Sequence, residues 1–174
     1  VVYDCQGEFE EFKFLGNAAG EKFRRVLIKP SEAPKGAFSK LYGPSSIELV
    51  QCLTRTPRKI YEGRLWGDPG FIQICFDVSD MRLLEKHLNE NGYHFTVDSC
   101  PGGEIFDMGE ASGHFTYIED PDGTLIEFVQ THKVPLIKQL GLSINLDKRS
   151  PYEPLPDWML RMLRFKRVKN VIKK

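Results

Sequence analysis

Apolar and polar positions alternate most clearly at residues 72–78. Ile72, Ile74, Phe76 and Val78 interleave with Gln73, Cys75 and Asp77. A period of two in β-branched and aromatic residues predicts a strand. One of its faces is apolar throughout; the other opens on an amide. The period then changes. Ser79 or Asp80 offers a helix N-cap, and Met81, Leu84 and Leu88 follow helical spacing, with Leu83 and His87 widening the stripe. Asn91-Gly92 marks the stop. His87 thus reads as the edge of a packed stripe rather than a ligand. Beyond it, YHFTV (93–97) reads as a strand, PGGEIFDMGEASG (101–113) as a glycine-rich loop, and HFTYIED (114–120) as a strand. DPDG (120–123) reads as a tight turn, and TLIEFVQ (124–130) is the last strand. The order over 71–131 is strand, helix, strand, strand, strand.

The first part of the chain repeats the end of that order. VVYDC (1–5), EEFKFLG (10–16), KFRRVLIK (22–29) and SSIELVQCL (45–53) are strand candidates. Residues 1–53 therefore resemble the last three strands of the second unit, without a leading strand and helix. The opening run reads as the interior of a strand, with the expectation that a segment precedes it. The repeat is sharpest at its end. IELVQ at 47–51 returns as IEFVQ at 126–130, four of five positions matching, and its agreement with the element order gives it weight. Between the units, 54–70 is polar and rich in proline and glycine, which predicts a linker.

The extension 132–174 is broken by Pro151, Pro154 and Pro156. Trp158, Met159, Met162, Leu163 and Val168 then predict an amphipathic helix, with Arg161, Arg164, Lys166, Arg167 and Lys169 on its other face. Basic amphipathic helices bind nucleic acid or anionic membranes; more often they pack on their own domain or a sister subunit. The chain carries 24 basic and 24 acidic residues, and that neutrality weakens a nucleic-acid role. An interaction protein working through this tail is the reading from a different class.

Composition narrows the rest. A chain of 174 residues with 41% hydrophobic content suits one compact fold in two halves. No apolar run approaches the roughly 20 residues needed to span a bilayer, and no secretory signal is visible; neither a membrane nor a nucleic-acid partner is expected. Cys5, Cys52, Cys75 and Cys100 form no C-x-x-C pair, so reduced thiols in a cytoplasmic protein are the expectation.

The chemistry rests on two carboxylates. Alternation puts Leu125, Glu127 and Val129 on one face of the last strand, and Glu48 with Val50 on the matching face of 45–53. A carboxylate among apolar neighbours needs a cation, a hydrogen-bond donor or water, because burying it alone costs several kcal/mol or forces protonation. Solvent exposure, a salt bridge to a basic residue, and a metal held by carboxylate and amide oxygens are the three candidate answers.

The tandem strand–helix–three-strand plan, FIQICFDVSD leading one unit and DPDGTLIEFVQ ending it resemble the vicinal oxygen chelate superfamily. That group holds glyoxalase I, methylmalonyl-CoA epimerase, extradiol dioxygenases and bleomycin- or fosfomycin-resistance proteins. The resemblance covers about residues 1–131. It implies an α+β fold of tandem βαβββ units, curved into an open sheet or barrel around a cleft that both glutamates face. It also implies metal ligands on the first and last strands of the units: Gln73, Glu127 and Glu48, with Glu48 and Glu127 as the catalytic carboxylates. Many members carry histidine where this chain has Gln73, though glutamine also serves. His114, at a loop–strand junction, is a further candidate to assist. The implied cofactor is a divalent ion (Zn, Ni, Mn, Mg or Fe), and the implied partner a small molecule with vicinal oxygens, in a cleft built within one chain or across a homodimer. The implied activity is a lyase or isomerase of the glyoxalase type. A metal-free binding protein of the resistance type and a dioxygenase are the alternatives within the superfamily.

Overall fold

A computed structural model describes residues 1–107, 111–137 and 141–163. Contacts divide it into two compact units, one of residues 1–34 and 39–60, the other of 35–38 and 61–174. The fold is α+β, with both units built on sheet.

In the first unit β1 (Tyr3–Gly7), β2 (Phe23–Ile28) and β3 (Ile47–Cys52) form an antiparallel sheet in chain order. EEFKFLG is not a strand. Glu10–Phe14 is a 3-10 helix, because a period of three in its aromatic residues wins over the apparent alternation. The Phe9 and Phe12 rings lie 5.6 Å apart, tilted by 58°, and Phe12 meets Phe23 edge-on at 5.0 Å. Lys13 pairs with Glu10 one turn back at 2.6 Å, a spacing that only a helical turn brings together.

The second unit keeps the predicted order with one short strand added. It runs β4 (Gln73–Asp77), α1 (Met81–Glu90), β5 (Val97–Asp98), β6 (Phe106–Asp107), β7 (Ser112–Glu119) and β8 (Leu125–Ile137). Of the expected strand 93–97 only Val97 is strand, because pairing with β7 there is confined to Val97 and Asp98. The strands lie in the order β4-β8-β7-β5, with β4 parallel to β8 and the other neighbours antiparallel. The glycine-rich loop holds one short strand, β6, paired to β7; the 108–110 part of that loop lies outside the described residues.

Helix α1 is fixed at its start by two side chains. The Asp80 carboxylate accepts from the Leu83 N–H at 2.9 Å, and Gln130 Oε1 accepts from the Met81 N–H at 2.8 Å. Both satisfy N–H groups that the first turn leaves without partners. Gly92 ends the helix at φ +81°, a backbone that glycine adopts without steric cost. The buried stripe is narrower than predicted. Met81 is fully buried and Leu84 and Leu88 are half-buried, whereas Leu83 is 62% exposed and His87 is exposed. At 100° per residue Leu83 and His87 point away from the sheet. Met81 accepts a hydrogen bond from Thr116 Oγ1 through its sulfur at 3.4 Å. Beside it His114, Thr116 and Ile118 are buried on the helix-facing side of β7.

The extension does not begin as a helix. β8 runs on past Gln130 to Ile137, and β9 (Leu142–Asn145) pairs with it, burying Val134 and Ile144. Pro135 is tolerated because the register is irregular there. Leu155 is fully buried and donates its N–H to the Ala37 carbonyl at 2.8 Å, and α2 (Asp157–Leu163) follows. Arg164, Lys166, Arg167, Val168 and Lys169 lie outside the described residues. Among the described residues no helix is long and apolar enough to cross a membrane.

Capping and burial make a paired forecast. Asp80→Ala, which leaves the Leu83 N–H without its acceptor, destabilises the fold by about 1 kcal/mol in urea titration, while Leu83→Ala stays within about 0.5 kcal/mol of wild type.

Candidate functional site

The parallel ladder sets Cys75 opposite Glu127, and the antiparallel ladders continue the row through Tyr117 to Val97. Side chains two apart share a face. Gln73, Cys75 and Asp77 therefore lie on the same face of the sheet as Glu127, Val129, Tyr117 and Phe115. His114, Thr116, Ile118 and Gln130 lie on the other, against α1. His114 accordingly does not reach Glu127. It is buried, with Nε2 2.5 Å from Asp98 Oδ1.

Glu127 is held from two sides. The Gln73 amide donates to Oε2, and the Tyr117 hydroxyl donates to Oε1 at 3.0 Å. These donors are neutral, as is the Cys75 thiol that also bonds to Glu127. Gln73 Oε1 is buried and has no hydrogen-bond partner among the described residues, and a buried acceptor left this way costs about 1–3 kcal/mol. The surroundings repel further negative charge. Burial pushes the Cys75 thiol up to about 12, helped by its hydrogen bond to Glu127 and the nearby negative charge. Burial likewise pushes the Tyr117 phenol up to about 12, with the Glu127 hydrogen bond adding to it. Asp77 is exposed on this face, yet burial by the surrounding protein raises its carboxyl. At neutral pH Cys75 and Tyr117 thus keep their protons and remain neutral neighbours of Glu127.

Glu48, its counterpart in the repeat, has a different environment within its own unit. Arg25 Nε donates to its Oε1 at 2.7 Å, and the Tyr3 hydroxyl donates to the same oxygen. These bonds, the Arg25 one first, hold its carboxyl below the usual range. Arg25 is itself stacked over the Phe9 and Phe12 rings, 4.7 and 4.9 Å from their centroids. Of the three answers open to a carboxylate in a strand, Glu48 takes the salt bridge.

Gln73 and Glu127 are brought together by the β4–β8 ladder. Each glutamate is described within its own unit. Among the described residues no three of His, Cys, Asp and Glu converge as a metal would require. What Gln73 and Glu127 offer is an unpartnered amide oxygen beside a carboxylate: two hard oxygen donors, a fit for part of a divalent-ion site.

Two residues of this face were not singled out from the sequence. Tyr117 was legible as sharing the alternation of HFTYIED with Phe115, but its bond to Glu127 depends on the register with β8. Trp66 sat in the linker. There the Leu65 N–H donates to Asp68 Oδ2 at 2.9 Å and the Asp68 N–H to the Leu65 carbonyl at 3.1 Å. That turn carries the Trp66 ring edge-on to Tyr117, centroids 5.9 Å apart.

No protein-family model matches the sequence, and no curated protein matches it. Solved structures do. A glyoxalase family protein from Bacillus cereus shares 17% identity over 75% of this chain and 76% of its own, with a TM-score of 0.54. The fold is of the glyoxalase type. An integron cassette protein from V. cholerae also aligns, at 19% identity over 73% of this chain and 75% of its own, but its TM-score of 0.33 is too low to add to that conclusion. At such identities the likeness is one of fold. Chemistry on a glyoxalase-type fold is argued from the site.

All four cysteines are free, and their protonation separates two of them. Cys52 is desolvated, but backbone hydrogen bonds from Thr54 and Arg55 outweigh this and lower its thiol below the ordinary value, whereas Cys75 sits near 12. Because the thiolate is the reactive form, pulsed iodoacetamide at pH 8 followed by peptide mass spectrometry labels Cys52 about tenfold or more faster than Cys75.

Proposed function

We propose that the protein is a divalent-metal-dependent lyase or isomerase of the glyoxalase type, acting on a small molecule with neighbouring oxygens. Gln73 and Glu127 are the metal ligands this reading assigns. The observation that carries it is the Gln73 Oε1, unpartnered among the described residues, beside a carboxylate whose described donors (Gln73, Tyr117 and Cys75) are all neutral. An amide oxygen left bare next to uncompensated negative charge is completed by a cation. The glyoxalase-type fold adds to the case. Zn, Ni, Mn, Mg and Fe all accept oxygen donors, although redox iron more often takes two histidines and a carboxylate.

When bound, such an ion supplies Lewis-acid polarisation of the substrate oxygens. The chain's own residues do the rest. Glu127 is the group able to take a proton from the carbon beside those oxygens. The Tyr117 hydroxyl and the Gln73 amide fix the orientation of that carboxylate. Tyr117 keeps its own proton through the physiological range, so its hydrogen bond to Glu127 persists there. Glu48 would have to give up Arg25 before serving as a ligand or a base, and no step is assigned to it.

A second reading has its own support. Gln73 and Tyr117 already satisfy one lone pair on each Glu127 oxygen, which allows the face to bind a small molecule without metal. Metal content by mass spectrometry, on protein purified without an affinity tag, separates the two. The expected result is near-stoichiometric metal in wild type, lost in Glu127→Ala and reduced in Gln73→Leu. No metal in wild type after incubation with Zn, Ni, Mn and Fe would leave the metal-free reading standing.

A further inference from the structure

The face that carries Glu127 changes character from one side to the other. Its β4–β8 half is polar, with Gln73, Cys75, Asp77 and Glu127. Its β7 half is aromatic. Tyr117 and Phe115 lie 6.1 Å apart, centroid to centroid, nearly perpendicular; Phe106 meets Phe115 edge-on at 5.3 Å; and Trp66 meets Tyr117 edge-on at 5.9 Å. Val97 stands opposite Tyr117 in register and extends the same surface. Four rings thus run in one unbroken series, and its two ends are open: Trp66 is 67% exposed and Phe106 44%. Tyr117 belongs to both halves, since its ring joins the series while its hydroxyl holds Glu127.

Exposed tryptophan and phenylalanine rings at the two ends of a packed aromatic series are poorly explained by folding alone, because each leaves apolar surface in water. Rings prefer edge-to-face or offset contact with other rings, so the surface suits a flat π-system better than a saturated one. The polar half supplies the complementary demand. Gln73 Oε1 lacks a partner among the described residues and Glu127 presents carboxylate oxygens, so both offer acceptors.

From this juxtaposition we infer that the site takes an aromatic small molecule, its ring against the surface of exposed Trp66 and Phe106 and half-buried Phe115, which Tyr117 backs from within, and its hydroxyl-bearing edge turned toward Gln73 and Glu127. The inference deepens the proposed function and rests on the same site. Its physical basis, ring contact, does not depend on a metal. It makes Trp66 and Phe106 specificity-determining residues.

The test uses the full chain carrying Trp158→Phe, which leaves Trp66 as the single tryptophan of the original two. The probes are 2-naphthol and its saturated counterpart decahydro-2-naphthol, titrated in the presence of a chelator. The expected result is saturable quenching of Trp66 emission by 2-naphthol, with calorimetric affinity about fivefold or more above that of the saturated alcohol. In the otherwise wild-type chain, Trp66→Ala and Phe106→Ala should each erase most of that preference. Both positions are solvent-exposed, and unchanged melting temperatures would show the variants folded. Equal binding of the two alcohols, or a preference untouched by both variants, would overturn the inference whatever the metal content proves to be. A ring preference that survives in metal-free protein supports it even if the metal reading fails.

Discussion

The parallel ladder between β4 and β8 is the constraint on which the rest of the site depends. It joins strands separated in sequence by α1 and three further strands, and its register alone puts Gln73 within reach of Glu127. A slip of one residue would turn one strand's side chains to the helix-packed face. That slip is opposed by the other side of the sheet, where Gln130 caps α1 and Thr116 is buried on Met81. The helix-facing core thus sets the register, and the register sets the chemistry of the opposite face. Fold and site are linked through the pentapeptide 126–130 itself: Glu127 serves one face and Gln130, three residues on, serves the other.

The repeated pentapeptide shows how one local sequence acquires two roles. Both glutamates sit in a sheet strand and both accept from a tyrosine hydroxyl. What differs is the second donor. Arg25 brings a full positive charge to Glu48, and is itself held by Glu11 and by aromatic rings. The result is a closed cluster in which one guanidinium serves two carboxylates. Gln73 brings only a dipole to Glu127 and leaves its own oxygen bare. The first arrangement is complete as it stands. The second carries unbalanced negative charge and an unused acceptor on a face with open aromatic surface beside it.

Much of this was legible in the sequence. The change from period two to period 3.6 at residues 78–81 placed β4 and α1, and DPDG placed the turn in which the Asp120 carboxylate accepts from the Asp122 and Thr124 N–H groups. The repeat located both glutamates. Other features escaped because they depend on contacts distant in sequence. EEFKFLG alternates on paper, but Phe12 is drawn to Phe23. The strand pairing beyond Gln130 was hidden by Pro135, which reads as a break yet sits at a register irregularity. The pairing of Arg25 with Glu48, the bond from Tyr117 to Glu127 and the placement of Trp66 all follow from register or turn geometry, which alternation does not encode.

The central claim is that Gln73 presents a free amide oxygen beside Glu127 and that a divalent cation completes the pair. The most direct measurement is a Mn²⁺ titration of protein labelled with 15N at glutamine side chains, following the paramagnetic broadening of each amide. The account predicts that the Gln73 signal broadens first, at sub-stoichiometric Mn²⁺, while those of Gln6, Gln51, Gln130 and Gln139 persist, and that Glu127→Ala removes the selectivity. A Gln73 signal that broadens no earlier than the other four would contradict it.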